Sequence, residues 1–174
     1  MNITDKNIIQ TIENEIKSEQ IDVIVGGPPC QSFSSLGRAK DEKAMKNDPR
    51  NYLFESYESI LNHFKPKFFV FENVMGLLTA KLGKEKTVNV ILKRLGKNYK
   101  LINEPDKMVL NSCNYGVPQI RKRVILIGVR KDIDLAPEDI YSSIEKTHYT
   151  PESNQEERLN KKKYVTVSDA IEDL

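Results

Sequence analysis

The chain has 174 residues, 27 basic and 25 acidic side chains and a formal net charge of +2, which suits one domain with a core of its own. A composition of 39% hydrophobic and 30% charged residues is that of a soluble globular protein, and no apolar run is long enough to span a membrane. Two cysteines, Cys30 and Cys113, with no CxxC pair, argue against a disulfide framework or a cysteine-rich zinc site and suit a reducing cytoplasm. The mild positive charge permits nucleic-acid binding without pointing to it. Met1-Asn2-Ile3-Thr4-Asp5-Lys6 lacks the basic-then-apolar plan of a signal peptide.

In chain order, Ile8, Ile9, Ile12 and Ile16 fall on one helical stripe, with Thr4 or Asp5 as the expected N-cap. A strand is predicted at about Asp22 to Val25, followed by Gly26-Gly27-Pro28-Pro29-Cys30-Gln31-Ser32-Phe33-Ser34. The stretch from Gln31 to Pro49 is long, polar and rich in charge, as functional loops and solvated linkers both are. Leu53, Phe54, Tyr57, Ile60, Leu61 and Phe64 form the next helical stripe, stopped by Lys65-Pro66, with Tyr57 read as core. Phe68 to Phe71 reads as a buried strand that delivers Glu72-Asn73 at its end. A helix is expected from Thr87 to Leu95, then strands at Lys107 to Asn111 and Val124 to Val129, split by a turn rich in Asn114, Tyr115, Gly116 and Pro118.

Residues 131 to 163 turn polar and read as a surface excursion, with Lys161-Lys162-Lys163 as a solvated run; Val165 to Leu174 suits a short helix. Cys113 has no acid or metal partner nearby in sequence and reads as structural, while His63 and His148 read as isolated surface residues. The alternation of helix and strand predicts an α/β fold with a mainly parallel sheet, helices on both faces and an antiparallel strand pair near the end. Residues 1–130 form the main body of that division and residues 131–174 the excursion and terminal helix.

Three segments at or beside strand ends carry chemistry. Cys30 follows an apolar strand, where open α/β sheets bind ligands. Two glycines let backbone approach a ligand closely, and two prolines stiffen the turn that holds the thiol. The competing reading of a lone cysteine is a small buried hydrophobe. Glu72-Asn73-Val74 ends the second strand; the competing reading of an isolated Glu72 is an ordinary strand-end salt bridge. Gln119-Ile120-Arg121-Lys122-Arg123 opens the last strand, its alternation placing Arg121 and Arg123 on one face if extended; the competing reading is a basic edge facing solvent or phosphate.

The Pro-Pro-Cys loop, Glu-Asn-Val and Tyr-Gly-x-Pro-Gln-x-Arg-x-Arg, in this order, resemble the catalytic motifs of the DNA (cytosine-5)-methyltransferases. Val165 to Leu174 is similar to the helix that precedes that family's recognition domain. The resemblance implies a partial Rossmann-like fold of the S-adenosylmethionine-dependent kind. It makes Cys30 the nucleophile toward C6 of a flipped-out cytosine in double-stranded DNA. Glu72 would hold N3 and N4 of that base, which calls for a carboxyl whose pKa burial has raised. Arg123 would contact O2, and Arg121 would sit beside the thiol and the DNA backbone. Pro29, Gln31, Ser32, Ser34, Asn73 and Gln119 would line or orient the site, and Pro29 and Leu53 would form part of an S-adenosyl-L-methionine pocket. No metal and no membrane enter. An amino-group methyltransferase, whose Pro-Pro is followed by an aromatic, is a poorer match because Cys30 stands in that place.

The resemblance also implies elements not found here. The family's Phe-x-Gly-x-Gly cofactor turn has no counterpart, since no Gly-x-Gly occurs in these residues, and the recognition domain is missing. The chain alone is therefore expected to bind the cofactor weakly or not at all, and to expose an apolar strand edge. Complementing N-terminal and recognition-domain polypeptides are the implied partners, in a restriction–modification setting by analogy. The alternative is a catalytically inactive remnant that persists as a DNA-binding or interaction fragment.

Overall fold

The computed structural model describes residues 3–5, 7–17, 19–28 and 53–173. Helix α1 (Ile8–Ile16) is amphipathic but buries no residue fully. Its N-cap is Asn7, whose N–H bonds the Asp5 carboxylate at 2.9 Å, so the cap lies two residues later than the Asp5 expectation. Strand β1 (Val23–Gly26) runs parallel to β2 (Phe68–Val74), with α2 (Leu53–Phe64) between them in sequence. A 3₁₀ turn (Met75–Leu78) and the two-residue strands β3 (Lys81–Leu82) and β4 (Glu85–Lys86) lead into α3 (Thr87–Leu95). Strands β5 (Tyr99–Lys100) and β6 (Val109–Asn111) follow, then a 3₁₀ turn (Ser112–Tyr115) and the long strand β7 (Lys122–Arg130). The remainder is α4 (Pro137–Ser143), β8 (His148–Tyr149), α5 (Gln155–Asn160), β9 (Lys162–Lys163) and α6 (Val167–Ile171).

The main sheet has the order β1–β2–β7, with β5 and β6 both on the far side of β7. Strands β1 and β2 are parallel, whereas β7 is antiparallel to β2, β5 and β6. The antiparallel pair expected near residues 107–129 is β6 with β7. One face of β2 carries Phe69, Phe71 and Asn73, all buried; the other carries the half-buried Phe68, Val70 and Glu72. Fully burying each phenylalanine contributes about 2–3 kcal/mol against an exposed ring. Phe69 meets Tyr57 and Tyr99 edge to face, with centroids 6.2 and 4.9 Å apart. Gly128, opposite Phe69 in β7, has no side chain because the Phe69 ring lies over it: a Cβ there would be 2.0 Å from Cε1.

Tyr57 is core, as its helical stripe implies, and its hydroxyl contacts the carbonyls of Ile24 and Val70 at 3.2 and 3.1 Å. Helices α2 and α3 are joined by Arg94, which donates to Glu58 at 2.7 Å, pairs with Glu55 and lies 5.2 Å over the Phe54 ring. Glu58 is nearly buried, so Arg94 serves chiefly to keep a carboxylate from being desolvated alone.

Strand β7 is longer than the strands beside it, and among the described residues its edge between β6 and β5 has no strand partner. Tyr141 of α4 fills that gap. Its hydroxyl donates to the Ile125 carbonyl at 2.7 Å and accepts the Ile127 N–H at 2.9 Å, while Met108 takes the Ile125 N–H at 2.8 Å. Burial pushes the phenols of Tyr99 and Tyr141 up to about 12 and lifts Tyr57 well above the ordinary range. An unfolded phenol ionises near 10, so between roughly pH 10 and 12 the unfolded chain sheds protons that the folded one keeps. Their stabilising contribution is complete below about pH 10 and is lost as pH rises toward 12. Urea midpoints should fall across that window. Tyr141→Phe should shrink the fall and, by orphaning two β7 backbone groups, cost about 1–2 kcal/mol at neutral pH. An unchanged neutral midpoint in this variant would show that the bridge contributes nothing.

Candidate active site

The site forms where β1, β2 and β7 meet. Parallel pairing sets Gly26 beside Phe71, so Gly27 continues alongside Glu72. A Cβ on Gly27 would lie 2.9 Å from Glu72 Oε2, which means the carboxylate rests against Gly27, three residues before Cys30. Antiparallel pairing sets Glu72 opposite Ile125 and Val74 opposite Arg123, which makes Glu72 and Arg123 diagonal neighbours on one face. Arg123 Nε and Glu72 Oε1 are 2.8 Å apart, with the side chains 24% and 40% exposed. The carboxylate is therefore held at the surface by a guanidinium, and it is not buried as the resemblance asks. Arg123 also donates through Nη1 to the Lys122 carbonyl at 2.9 Å.

Asn73 points to the opposite face and is buried. Its Nδ2 donates to the Pro28 carbonyl at 3.2 Å, and its Oδ1 accepts the Val74 N–H at 2.9 Å. Adjacent residues of β2 thus hold two adjacent residues from opposite faces of the sheet: Glu72 lies against Gly27, and Asn73 binds Pro28. Cys30 is two positions further along; Pro29, Cys30, Gln31, Ser32 and Ser34 lie outside the described residues.

Arg121 is exposed and lies one residue before β7, whereas Arg123 meets Glu72 from within the strand. The Arg121 backbone is fixed where the β6–β7 connection closes. Arg121 N–H donates to Asn111 Oδ1 at 3.1 Å, and its carbonyl accepts the Ser112 N–H at 3.1 Å. Gln119 is exposed; its carbonyl accepts the Ser112 hydroxyl at 2.5 Å. Asn111 and Ser112 went unnoticed in the sequence because an Asn-Ser pair beside a turn is common. Burial raises the Tyr115 phenol in the same turn.

Cys113 is buried and free, its sulfur 3.6 Å from Asn114 Oδ1, in keeping with a structural role. His63, read as an isolated surface residue, instead meets Glu13 at 2.7 Å and joins α1 to α2. His148 is not isolated either: its ring lies against Gly116. Among the described residues no group of three His, Cys, Asp or Glu side chains could hold a metal ion, and no helix is long and apolar enough to cross a membrane. Leu53, the one described residue assigned to S-adenosylmethionine, is a half-buried aliphatic side chain in the first turn of α2. It can offer that group apolar contact, but neither charge nor a side-chain hydrogen bond.

A carboxylate paired with a guanidinium thus stands beside Gly27, three residues before Cys30 in the sequence. The chain belongs to the C-5 cytosine-specific DNA methylase family, whose model matches residues 1–174. It is 42% identical over 135 residues to the Type II methyltransferase M.Bpa9945I of Bacillus paralicheniformis, covering 73% of this chain and 30% of that relative. It is 37% identical over 162 residues to the Type II methyltransferase M.DdeI of Desulfomicrobium norvegicum, covering 92% of this chain and 34% of that one. A solved structure described as a DNA modification methyltransferase encoded within an E. coli prophage superposes with a TM-score of 0.64 at 26% identity, over 98% of this chain and 40% of that one. The fold is accordingly the Rossmann-like one of the methyltransferases, and the chain spans about a third of the length of these curated relatives.

Proposed function

We propose that the chain carries the catalytic middle of a DNA (cytosine-5)-methyltransferase. The observation that supports this reading is the 2.8 Å Glu72–Arg123 pair packed against Gly27, at the root of the Cys30 loop. Cytosine C5 is too poor a nucleophile to take a methyl group unaided. The Cys30 thiolate adds to C6 of a flipped-out cytosine, forming a C–S bond and turning C5 into an enamine carbon. Arg123 offers donors to O2, where negative charge develops, and Glu72 offers its carboxyl to N3 and N4. The pair's side-by-side geometry suits a pyrimidine edge that presents two acceptors, O2 and N3, beside one donor, the N4 amino group. After C5 is methylated, its proton leaves and the thiol is eliminated. Asn73 orients the Cys30 loop through Pro28, while Arg121 and Gln119 face the DNA backbone. S-adenosylmethionine, when bound, supplies the methyl group.

The methyl donor and the DNA sequence are handled by further polypeptide, an N-terminal cofactor segment and a recognition domain. Among the described residues the outer edge of β1 has no strand partner, which supports the first of these. Asp22 gives its carbonyl to the Phe68 N–H, so period-two alternation directs the backbone groups of Val23 and Val25 away from β2. Those valines are 48% and 72% exposed, an apolar surface that a further strand and its helix would cover. The residue boundaries 1–130 and 131–174 then separate catalytic body from the approach to the recognition domain, in a cytoplasmic restriction–modification enzyme.

Duplex DNA containing 5-fluorocytosine tests the reading, because the fluorine cannot leave as a proton does. With S-adenosylmethionine and a polypeptide bearing the Gly-rich cofactor segment, the chain should form a denaturation-resistant adduct that Cys30→Ala abolishes. A reconstituted complex that binds both ligands yet forms no adduct would leave only the inactive remnant.

A further inference from the structure

The ten residues between β6 and β7 carry Gln119 and Arg121 and lead directly into Arg123. Their base is closed by Asn111 and Ser112, as described above. Their middle is held from outside by a segment distant in sequence. Thr147 donates its N–H to the Asn114 carbonyl at 3.0 Å, and its hydroxyl lies 3.5 Å from the same oxygen. The next residue, His148, lays its imidazole over Gly116. A Cβ at Gly116 would stand 2.7 Å from Cε1 and 3.2 Å from both ring nitrogens. Gly116 itself has φ +81, a left-handed conformation that side-chain-bearing residues rarely adopt. Position 116 therefore requires glycine twice over: for its backbone angle and for the ring that occupies the space a side chain would need.

The ring is in turn anchored. His148 Nδ1 is 2.9 Å from the Thr147 hydroxyl, and β8 pairs with β9 through His148 opposite Lys162, with the Lys162 N–H bonded to the Thr147 carbonyl at 3.1 Å. A half-buried aromatic ring on a glycine leaves little freedom for the turn beneath it. We propose that His148 is a positioning residue: packed on Gly116, it clamps the β6–β7 turn and so sets where Gln119, Arg121 and Arg123 stand toward a nucleic-acid substrate. The clamp is a matter of packing on this chain; its value for catalysis rests on the reading given under Proposed function.

Hydrogen exchange of the full chain separates the two. The amides of Gly116, Val117, Gln119 and Arg121 are all hydrogen-bonded within the turn. His148→Ala should speed their exchange about tenfold or more while the amides of Phe69 and Phe71 in β2 keep their protection. His148→Phe, which retains a ring over Gly116, should restore protection to within about threefold of the parent. Unchanged exchange in the turn, acceleration spread equally into β2, or failure of the phenylalanine variant to rescue would each overturn the clamp. In the reconstituted 5-fluorocytosine assay, His148→Ala should slow adduct formation about tenfold at saturating DNA, with the phenylalanine variant close to the parent. A loosened turn with an unaltered rate would overturn the positioning role. A parent chain that forms no adduct would defeat the catalytic reading and leave the clamp to be decided by exchange alone.

Discussion

Arg123→Ala in the reconstituted complex is expected to slow adduct formation through Cys30 by about a hundredfold or more at saturating DNA, with little change in stability. The two magnitudes separate the roles. With side chains 24% and 40% exposed, the Arg123–Glu72 pair is a surface ion pair, of the kind that contributes about 0–1 kcal/mol to folding. A hundredfold in rate corresponds to about 2.7 kcal/mol of transition-state stabilisation. Removing a donor aimed at the oxygen where charge develops costs that much; removing a structural surface pair does not. Glu72→Gln keeps the shape and the contact with Gly27 but loses the carboxyl, and should slow the reaction by about tenfold to a thousandfold. Adduct kinetics and urea denaturation on the same preparations check both variants. Rates that fall only in proportion to lost folded protein would reduce the pair to the strand-end salt bridge that is its simplest reading.

Gly128→Ala should destabilise the chain by about 3 kcal/mol or more, although one methyl group is the smallest side chain that can be added. The added carbon would stand 2.0, 2.5 and 2.6 Å from three atoms of the Phe69 ring. Phe69 has no exposure and is boxed between Tyr57 and Tyr99, so its ring cannot swing aside. Strands β2 and β7 would have to part instead, and with them the register that aligns Glu72 with Arg123. Phe69→Leu in the same chain should recover part of the loss, because it empties the space the methyl needs. Urea unfolding of the two single variants and the double variant measures the coupling. Equal midpoints for Gly128→Ala and the parent would show that the sheet yields more cheaply than its packing implies.

The longer elements were legible because their periodicity is strong. The stripes Leu53–Phe64 and Thr87–Leu95 became helices with those bounds, and the apolar run at Phe68 became β2, carried on to Val74. The two-residue strands β3, β4, β5, β8 and β9 left no trace in the sequence, since two residues cannot display a period. Tyr141 was equally invisible. It sits in the polar stretch read as an excursion, yet its hydroxyl completes the β7 ladder, a task defined only by the missing strand beside it.

The sequence by itself carried the motifs whose resemblance points to the family, the alternation that points to the α/β class, and the residue types of the candidate site: a thiol after a strand, a carboxyl-amide pair at the next strand end, and arginines at the start of the last. These are short-range facts, written in motifs of three to ten residues. Only the tertiary structure decided which groups meet. Register set Glu72 diagonally from Arg123, and long-range packing brought His148 onto Gly116 across 32 positions of chain. Pairing across a sheet depends on which strands become neighbours. That choice is made by the core as a whole, so no stretch of sequence encodes it alone.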